Sequence, residues 1–397
     1  MSSAPLTEKT FIARQDDLLK RIAGLGVDCV LAFGFGSALG GGTVSHGALR
    51  YLSGWDGHES LSLLAVSGRE RLLLVGSPFL QPLAERSYRQ TSIAAVPTRD
   101  WGAFLKARFG ASASFGTVGF GEMPQSIHAG LESALPEAKL LEIDSHVDRM
   151  RLRKTREELA LHEAGAAICD LLFASLAEEF RSKRRVWEIQ LALETRAKLA
   201  GADYCKTWLT VAPCADYPRY WPSENANVPS PGDQALFGVA LTVSGYWAHG
   251  LRMGSVGPAR DDHKRLCDLV NDMLDAGAAC LETGRPVSSA ELEIDRLFQA
   301  STQGLAGRDI ARFRNGHALG TSYEDPLGTE GFPQHFGPPA FRQAMPSDLR
   351  VDPAMVFELH PNLFVRGIGG AVVGDMIVTT AAEPRRLLAF PRGIVEL

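Results

Sequence analysis

A long helix with a clear start constrains this chain more than any other feature. Thr155 stands three residues before Glu158, the spacing of a capping box, and REELALHEAGAAICDLLFASLAEEF then runs on without a glycine–proline breaker. A second helix is expected at about Val186–Leu199. Strands come next at Ala235–Val243 and again from Tyr246, with Ser244-Gly245 as the turn. The next helix, Asp261–Leu281, stops at Thr283-Gly284-Arg285-Pro286. Ser288 with Glu291 has capping-box spacing and predicts a further helix to about Gln303. From Asn315 onward the pattern is strands and loops. Two helix pairs alternating with strand blocks predict α+β and exclude a parallel doubly wound sheet.

The front of the chain reads differently. Phe11, Ile12, Leu18, Leu19, Ile22 and Leu25 recur at helical spacing over residues 8–25. A strand is expected at Val27–Phe33, then a glycine run from Gly34 to Gly42, then apolar strands at Leu61–Val66 and Arg71–Gly76. A phosphate-binding loop needs a strand–turn–helix context. Thr43-Val44-Ser45 does not read as a good helix start, so the glycine run is expected to be a plain loop. Helices and strands continue to about Asp144, which makes a smaller α/β domain.

Bulk properties remove several classes of function. The formal net charge is −5 and no basic stripe exists, so nucleic acid is not an expected partner. The six cysteines lie far apart without a CxxC pair, which predicts buried, reduced thiols in a cytoplasmic protein. The opening MSSAPLTEKT lacks an apolar h-region and no run of 18 apolar residues occurs, so neither a signal peptide nor a membrane span is expected.

Landmarks in the right order then point to a family. ALRYLSGW (Ala48–Trp55) is similar to a segment of creatinase-type N-terminal domains, and MRLRKTREELALHEAGAAI (Met150–Ile168) looks like the first helix of their catalytic domain. GHALG (Gly316–Gly320) matches a GHGIG-type motif, MVFELHP (Met355–Pro361) an MVFTIEP-type strand, and VVGDMIVTT (Val372–Thr380) the last metal-bearing strand. The chain thus resembles the creatinase, aminopeptidase P and prolidase family over nearly its whole length. The resemblance implies a C-terminal pita-bread domain over residues 149–397 behind a creatinase-like α/β domain over residues 1–148. It also implies a homodimer with the site in the C-terminal domain.

The family site implied by the resemblance is a pair of metal ions on two Asp, one His and two Glu. Here those positions fall on Gly238, His249, His317, His360 and Gly374, although Asp375 is kept beside the last. Ten histidines in 397 residues make a histidine at any one position a roughly 2–3% event, so two changes to histidine are not random decay. In the family the three histidine positions serve the same ion. The pattern reads as conversion to a mononuclear site on His249, His317 and His360, holding one divalent transition metal, Fe²⁺ or Zn²⁺, per chain. Histidines used for hydrogen bonding or packing without metal are the alternative.

Other residues have candidate roles. Tyr323 stands where the family has a substrate-contacting histidine, and a phenol there can donate to an oxyanion. Glu358, two residues from His360 on one strand, points the same way and can orient that ring or act as a base; a rim salt bridge is the plain alternative. Asp216 occupies the position of creatinase's catalytic histidine and argues against creatine hydrolysis. His58, with Trp55, comes just after the N-terminal landmark and is a candidate lid residue. Trp208, Trp247 and the stretch Tyr217–Trp221 make an aromatic-rich region, while Arg252 reads as structural. Three functions remain open at this point: a metal-dependent hydrolase of a C–N bond in a small amide or amino-acid-like substrate, a three-histidine non-haem Fe(II) oxygenase or lyase, and a metal-free peptide binder.

Overall fold

The computed structural model describes residues 6–213, 226–305, 307–326 and 349–397. The chain divides into two compact units. The first takes in everything to Leu152 together with Gly320–Pro326, and the second takes in most of the chain from Arg153 onward.

In the first unit, α1 (Glu8–Arg21) leads to β1 (Cys29–Phe35), α2 (Ser37–Gly40) and α3 (Val44–Ser53). Then come β2 (Leu61–Val66), β3 (Arg71–Val75), α4 (Gln81–Ser87), β4 (Ser92–Ala95) and α5 (Trp101–Phe109). The unit continues with β5 (Ser114–Val118), α6 (Gln125–Ala134), β6 (Lys139–Glu142) and α7 (Asp144–Leu152). Its six strands form one mixed sheet in the order β4-β3-β2-β1-β5-β6. Successive residues of β1 serve opposite faces, as the strand repeat requires. Val30 and Ala32 join one core with Leu49, Leu64 and Leu73, while Leu31 and Phe33 join another with Leu63, Trp101 and Phe115.

The glycine run departs from expectation, because a helix does open there. Thr43 is the N-cap of α3, and its side chain accepts the His46 N–H at 3.3 Å. Gly36 is required for close approach: a Cβ there would lie 1.9 Å from the His58 carbonyl oxygen. ALRYLSGW is accordingly helical up to Ser53, and Gly54 closes the helix in the left-handed region at φ 76°.

The second unit opens with α8 (Arg156–Arg181) and α9 (Val186–Leu199), then β7 (Tyr204–Pro213), β8 (Asp233–Val243) and β9 (Tyr246–Ser255). Next are α10 (Asp261–Ala279), α11 (Ser289–Ser301), β10 (Ile310–Ala311), β11 (Gly316–Ala318) and β12 (Val356–Leu359). The chain ends with β13 (Asn362–Val365), β14 (Gly369–Val372), β15 (Asp375–Val378), β16 (Arg385–Arg386) and β17 (Val395–Glu396). Among the described residues three small sheets result, ordered β17-β9-β8-β7, β11-β12-β15-β16 and β10-β13-β14. An isolated bridge between Leu251 and Gly374 joins the first of these to the second. Glycine lets helix and sheet lie close: a Cβ on Gly165 of α8 would sit 2.6 Å from that of Ala248 on β9.

The Thr155 capping box forms as its spacing predicts, with Glu158 N–H donating to Thr155 Oγ1 at 3.3 Å and Thr155 N–H to Glu158 Oε2 at 2.8 Å. The Ser288 box does not. Ser288 is already helical (φ −59°, ψ −15°) and makes no side-chain cap, and Glu291 is instead buried, accepting Asn315 Nδ2–H at 2.8 Å. Helix α8 is long and apolar enough to cross a membrane by length and composition, although charged residues interrupt its apolar positions. More than half of its most apolar window is buried, with Leu161, Leu172, Phe173 and Leu176 in the core, as in the central helix of a globular unit.

Candidate metal centre

Three strands of the second unit bring the site together. β9 supplies His249, β11 supplies His317, and β12 supplies Glu358, with His360 just beyond its end. His317 and Glu358 are register partners across the antiparallel β11–β12 ladder. Glu358 and His360, two apart, point to the same side. The bridge from Leu251 to Gly374 holds β9 against the residues that precede β15. Arg252 secures this junction as a structural residue. It is fully buried and donates to the carbonyls of Leu251, Gly374, Phe390 and Pro391 and to Asp375 Oδ1 at 2.8 Å.

The side chains converge on one carboxylate oxygen. Glu358 Oε2 lies 3.2 Å from His360 Nε2, 3.4 Å from His249 Nδ1 and 3.7 Å from His317 Nε2. The imidazole centroids are 5.6–6.0 Å apart pairwise, and the rings of His249 and His317 stack at an interplanar angle of 21°. His249, His317 and Glu358 each offer one ligand atom, all mutually within 4.8 Å. All four side chains are buried, none more than 5% exposed.

Burial sets the protonation states. It lowers His249 to about 3, with the charge of Arg314 adding to the effect. It lowers His360 to about 4 against the opposing pull of Glu358, and it takes His317 well below its ordinary value. The same burial pushes Glu358 up to about 7, although His360 and Arg314 act the other way. At neutral pH the three rings are therefore uncharged and can offer lone pairs. For His317 the backbone selects the nitrogen: Nδ1 donates to the Ala318 carbonyl at 3.0 Å, which makes Nε2, the nitrogen nearer Glu358, the unprotonated one of the neutral ring. The His360 N–H donates to the Asn315 carbonyl at 2.8 Å, and Asn362 Nδ2 donates to the His360 carbonyl at 3.1 Å. Buried neutral imidazoles beside a carboxylate, whose oxygens accept no hydrogen bond among the described residues, fit a divalent transition metal.

A family model described as Metallopeptidase family M24 matches residues 160–381, more than half of the chain. The chain belongs to metallopeptidase family M24. A second model, the Creatinase/Prolidase N-terminal domain, matches residues 14–153 of this M24 chain. A Bacillus subtilis protein named "Uncharacterized peptidase YqhT" is 22% identical over 361 residues, covering 88% of this chain and 93% of its own. An Xaa-Pro dipeptidase of Lactobacillus helveticus is 22% identical over 255 residues, covering 63% and 64%. Among solved structures, X-Pro aminopeptidase from Thermotoga maritima MSB8 superposes with TM-score 0.77 at 18% identity, over 96% of this chain and 99% of that one. Prolidase from Pyrococcus horikoshii OT3 gives 0.77 at 15%, over 96% and 100%. At these identities the structural likeness shows the pita-bread fold with its creatinase-type N-terminal domain.

The remaining candidates fall elsewhere in this M24 chain. Asp216 and the stretch Tyr217–Trp221 lie outside the described residues. Tyr323 belongs to the Gly320–Pro326 segment of the first unit. His58 is in that unit too, about half exposed, with Nδ1 3.8 Å from Asp56. Trp208 packs edge-on against His249 at 5.6 Å, whereas Trp247 packs against Tyr204. His162, His263 and His46 bond to main-chain carbonyls as packing histidines. Two contributors had no signal in the sequence. Arg314 lowers all three imidazoles by its charge, and Asn315 spans from Glu291 to the backbone of His360.

Proposed function

We propose that this chain is a metal-dependent hydrolase of a C–N bond in a small amide or amino-acid-like substrate, with one divalent ion per chain on His249, His317 and His360. The observation that supports it most is the meeting of three buried, uncharged imidazoles in a member of a metallopeptidase family. A divalent ion there supplies Lewis acidity toward a carbonyl and activation of water. The chain's part is to keep the donors neutral and oriented. Burial prevents protonation of the rings, the Ala318 carbonyl holds the His317 tautomer, and Asn362 with Asn315 clamps the backbone of His360. Glu358 is the carboxylate facing this cluster and balances part of the ion's charge.

We carry a homodimer and a cytoplasmic location within the same reading. The five described cysteines are all free and buried, as suits a reducing compartment. Metal analysis of protein purified without chelator, combined with hydrolysis assays on dipeptides and small amides, tests the reading. About one zinc per chain and release of an amine are expected. Iron with oxygen uptake, or no metal at all, would overturn it.

A further inference from the structure

The three imidazole nitrogens approach the same oxygen, and their spacing from it carries chemical information. With metal–ligand bonds of about 2.0–2.2 Å, two ligands of a tetrahedral ion lie roughly 3.3–3.6 Å apart. Glu358 Oε2 stands 3.2, 3.4 and 3.7 Å from the nitrogens of His360, His249 and His317. Those distances are close to the ligand–ligand separations of such an ion, and two of them are longer than an ordinary N–H···O hydrogen bond. Glu358 is 0% exposed, and neither of its oxygens accepts a hydrogen bond among the described residues.

A second observation is independent of the histidines. A Cβ built on Gly374 would lie 2.2 Å from Glu358 Oε1 and 2.5 Å from Leu251 Cδ1. The absence of a side chain at 374 is what gives the carboxylate its seat. The backbone at this position is held by the bridge to Leu251 and by Arg252 Nη1, which donates to the Gly374 carbonyl at 2.7 Å. Gly238 shows the same replacement: a Cβ there would meet the Trp208 ring at 3.0 Å. Both glycines thus make room for a neighbour's side chain.

We infer that Glu358 is itself a metal ligand, its carboxylate seated over Gly374 and forming with His249 and His317 the trio whose ligand atoms all lie within 4.8 Å of one another, while His360 stands 3.2 Å from the same carboxylate. The inference rests on the metal-binding part of the proposed function and changes its character. The donor set gains one negative charge, and the space beside Gly374 is taken by a ligand of the same ion. The site then holds one ion per chain.

Titration of chelator-stripped protein with Co²⁺, read by visible absorption and calorimetry, tests this. The wild type is expected to bind one Co²⁺. Groups that merely orient a ligand cost 10–100-fold in affinity when removed, so Glu358→Gln, which removes a ligand, should weaken binding by more than about a hundredfold and alter the spectrum. Gly374→Ala removes no donor but displaces the carboxylate, and should weaken binding at least tenfold with the same spectral change. Circular dichroism checks that each variant is folded, and Gly374→Ala carries the test if Glu358→Gln is not. Variants that bind Co²⁺ with unchanged affinity and spectrum would overturn Glu358 as a ligand and leave the three histidines standing. A wild type that binds no Co²⁺ would overturn the metal reading itself, and Glu358 with it.

Discussion

His317 and Glu358 face each other across the β11–β12 ladder, and this pairing places a carboxylate oxygen 3.7 Å from the imidazole Nε2. Register partners in an antiparallel pair project side chains to the same face at about 4.5–5.5 Å between Cβ atoms. The two groups therefore meet without a loop to position them. Both are fully buried, so the contact is formed between a neutral ring and a carboxyl whose charge burial disfavours. A cation between them would offset that cost.

Removing the central ring should empty the site. His317→Ala is expected to lower bound metal below about a tenth of the wild-type content, and to abolish hydrolysis, because loss of a ligand costs more than the 10–100-fold of an outer-shell change. Elemental analysis of the purified variant checks the first part. Wild-type metal content in this variant would remove His317 from the ligand set.

Glu291 should make the protein less stable as pH rises. Burial raises its carboxyl from 4.5 to about 7, with Asp295 adding to the shift and Asn315 and Arg312 opposing it. The folded state thus holds a proton that the unfolded state has lost, so this contribution is fully present below pH 4.5 and lost as pH rises through about 7. Glu291→Gln keeps an acceptor for Asn315 and cannot ionise. It should be more stable than wild type at pH 8, by up to roughly 3 kcal/mol, and the gap should close by about pH 4.5. Urea unfolding at the two pH values measures it.

The two capping-box signatures should respond differently to the same change. Thr155→Ala removes a cap that is made and should cost about 1 kcal/mol. Ser288→Ala removes a hydroxyl that caps nothing and should fall within about 0.5 kcal/mol of wild type. Equal losses in denaturant titrations would contradict a capped start at Thr155 and an uncapped one at Ser288.

Arg252 should be among the most sensitive structural positions. It is fully buried between Asp375 and four carbonyls, and its guanidinium lies 4.8 Å from the Phe173 ring centroid. Arg252→Ala takes the guanidinium's donors from the Phe390 and Pro391 carbonyls, while Asp375 keeps Arg386 and Arg392, and should destabilise by about 1–3 kcal/mol. Arg252→Lys, which cannot reproduce a planar fork of donors, should recover only part of that. Thermal unfolding of both variants gives the comparison.

Local chemistry was enough to read several features from the sequence. The Thr155 cap depends on residues three apart, and the helices after it come from apolar spacing and from the breaker at Gly284 and Pro286. The histidines could be named because ordered motifs align His317, His360 and His249 with a known family's ligand positions. Where sequence and structure part, a distant partner decided. The helix after Thr43 has its first N–H groups, those of Val44 and Ser45, taken by the distant Glu122 carboxylate, and at the Ser288 box Glu291 accepts from Asn315. The place of Glu358 belongs to the same class. Its strand periodicity shows that it shares a side with His360, but the sequence cannot show that Gly374, sixteen residues on and paired to β9, leaves the space its carboxylate fills. Capping and periodicity act within a few residues of one segment, whereas a coordination site is set by where separate strands cross, and only the tertiary structure decides that.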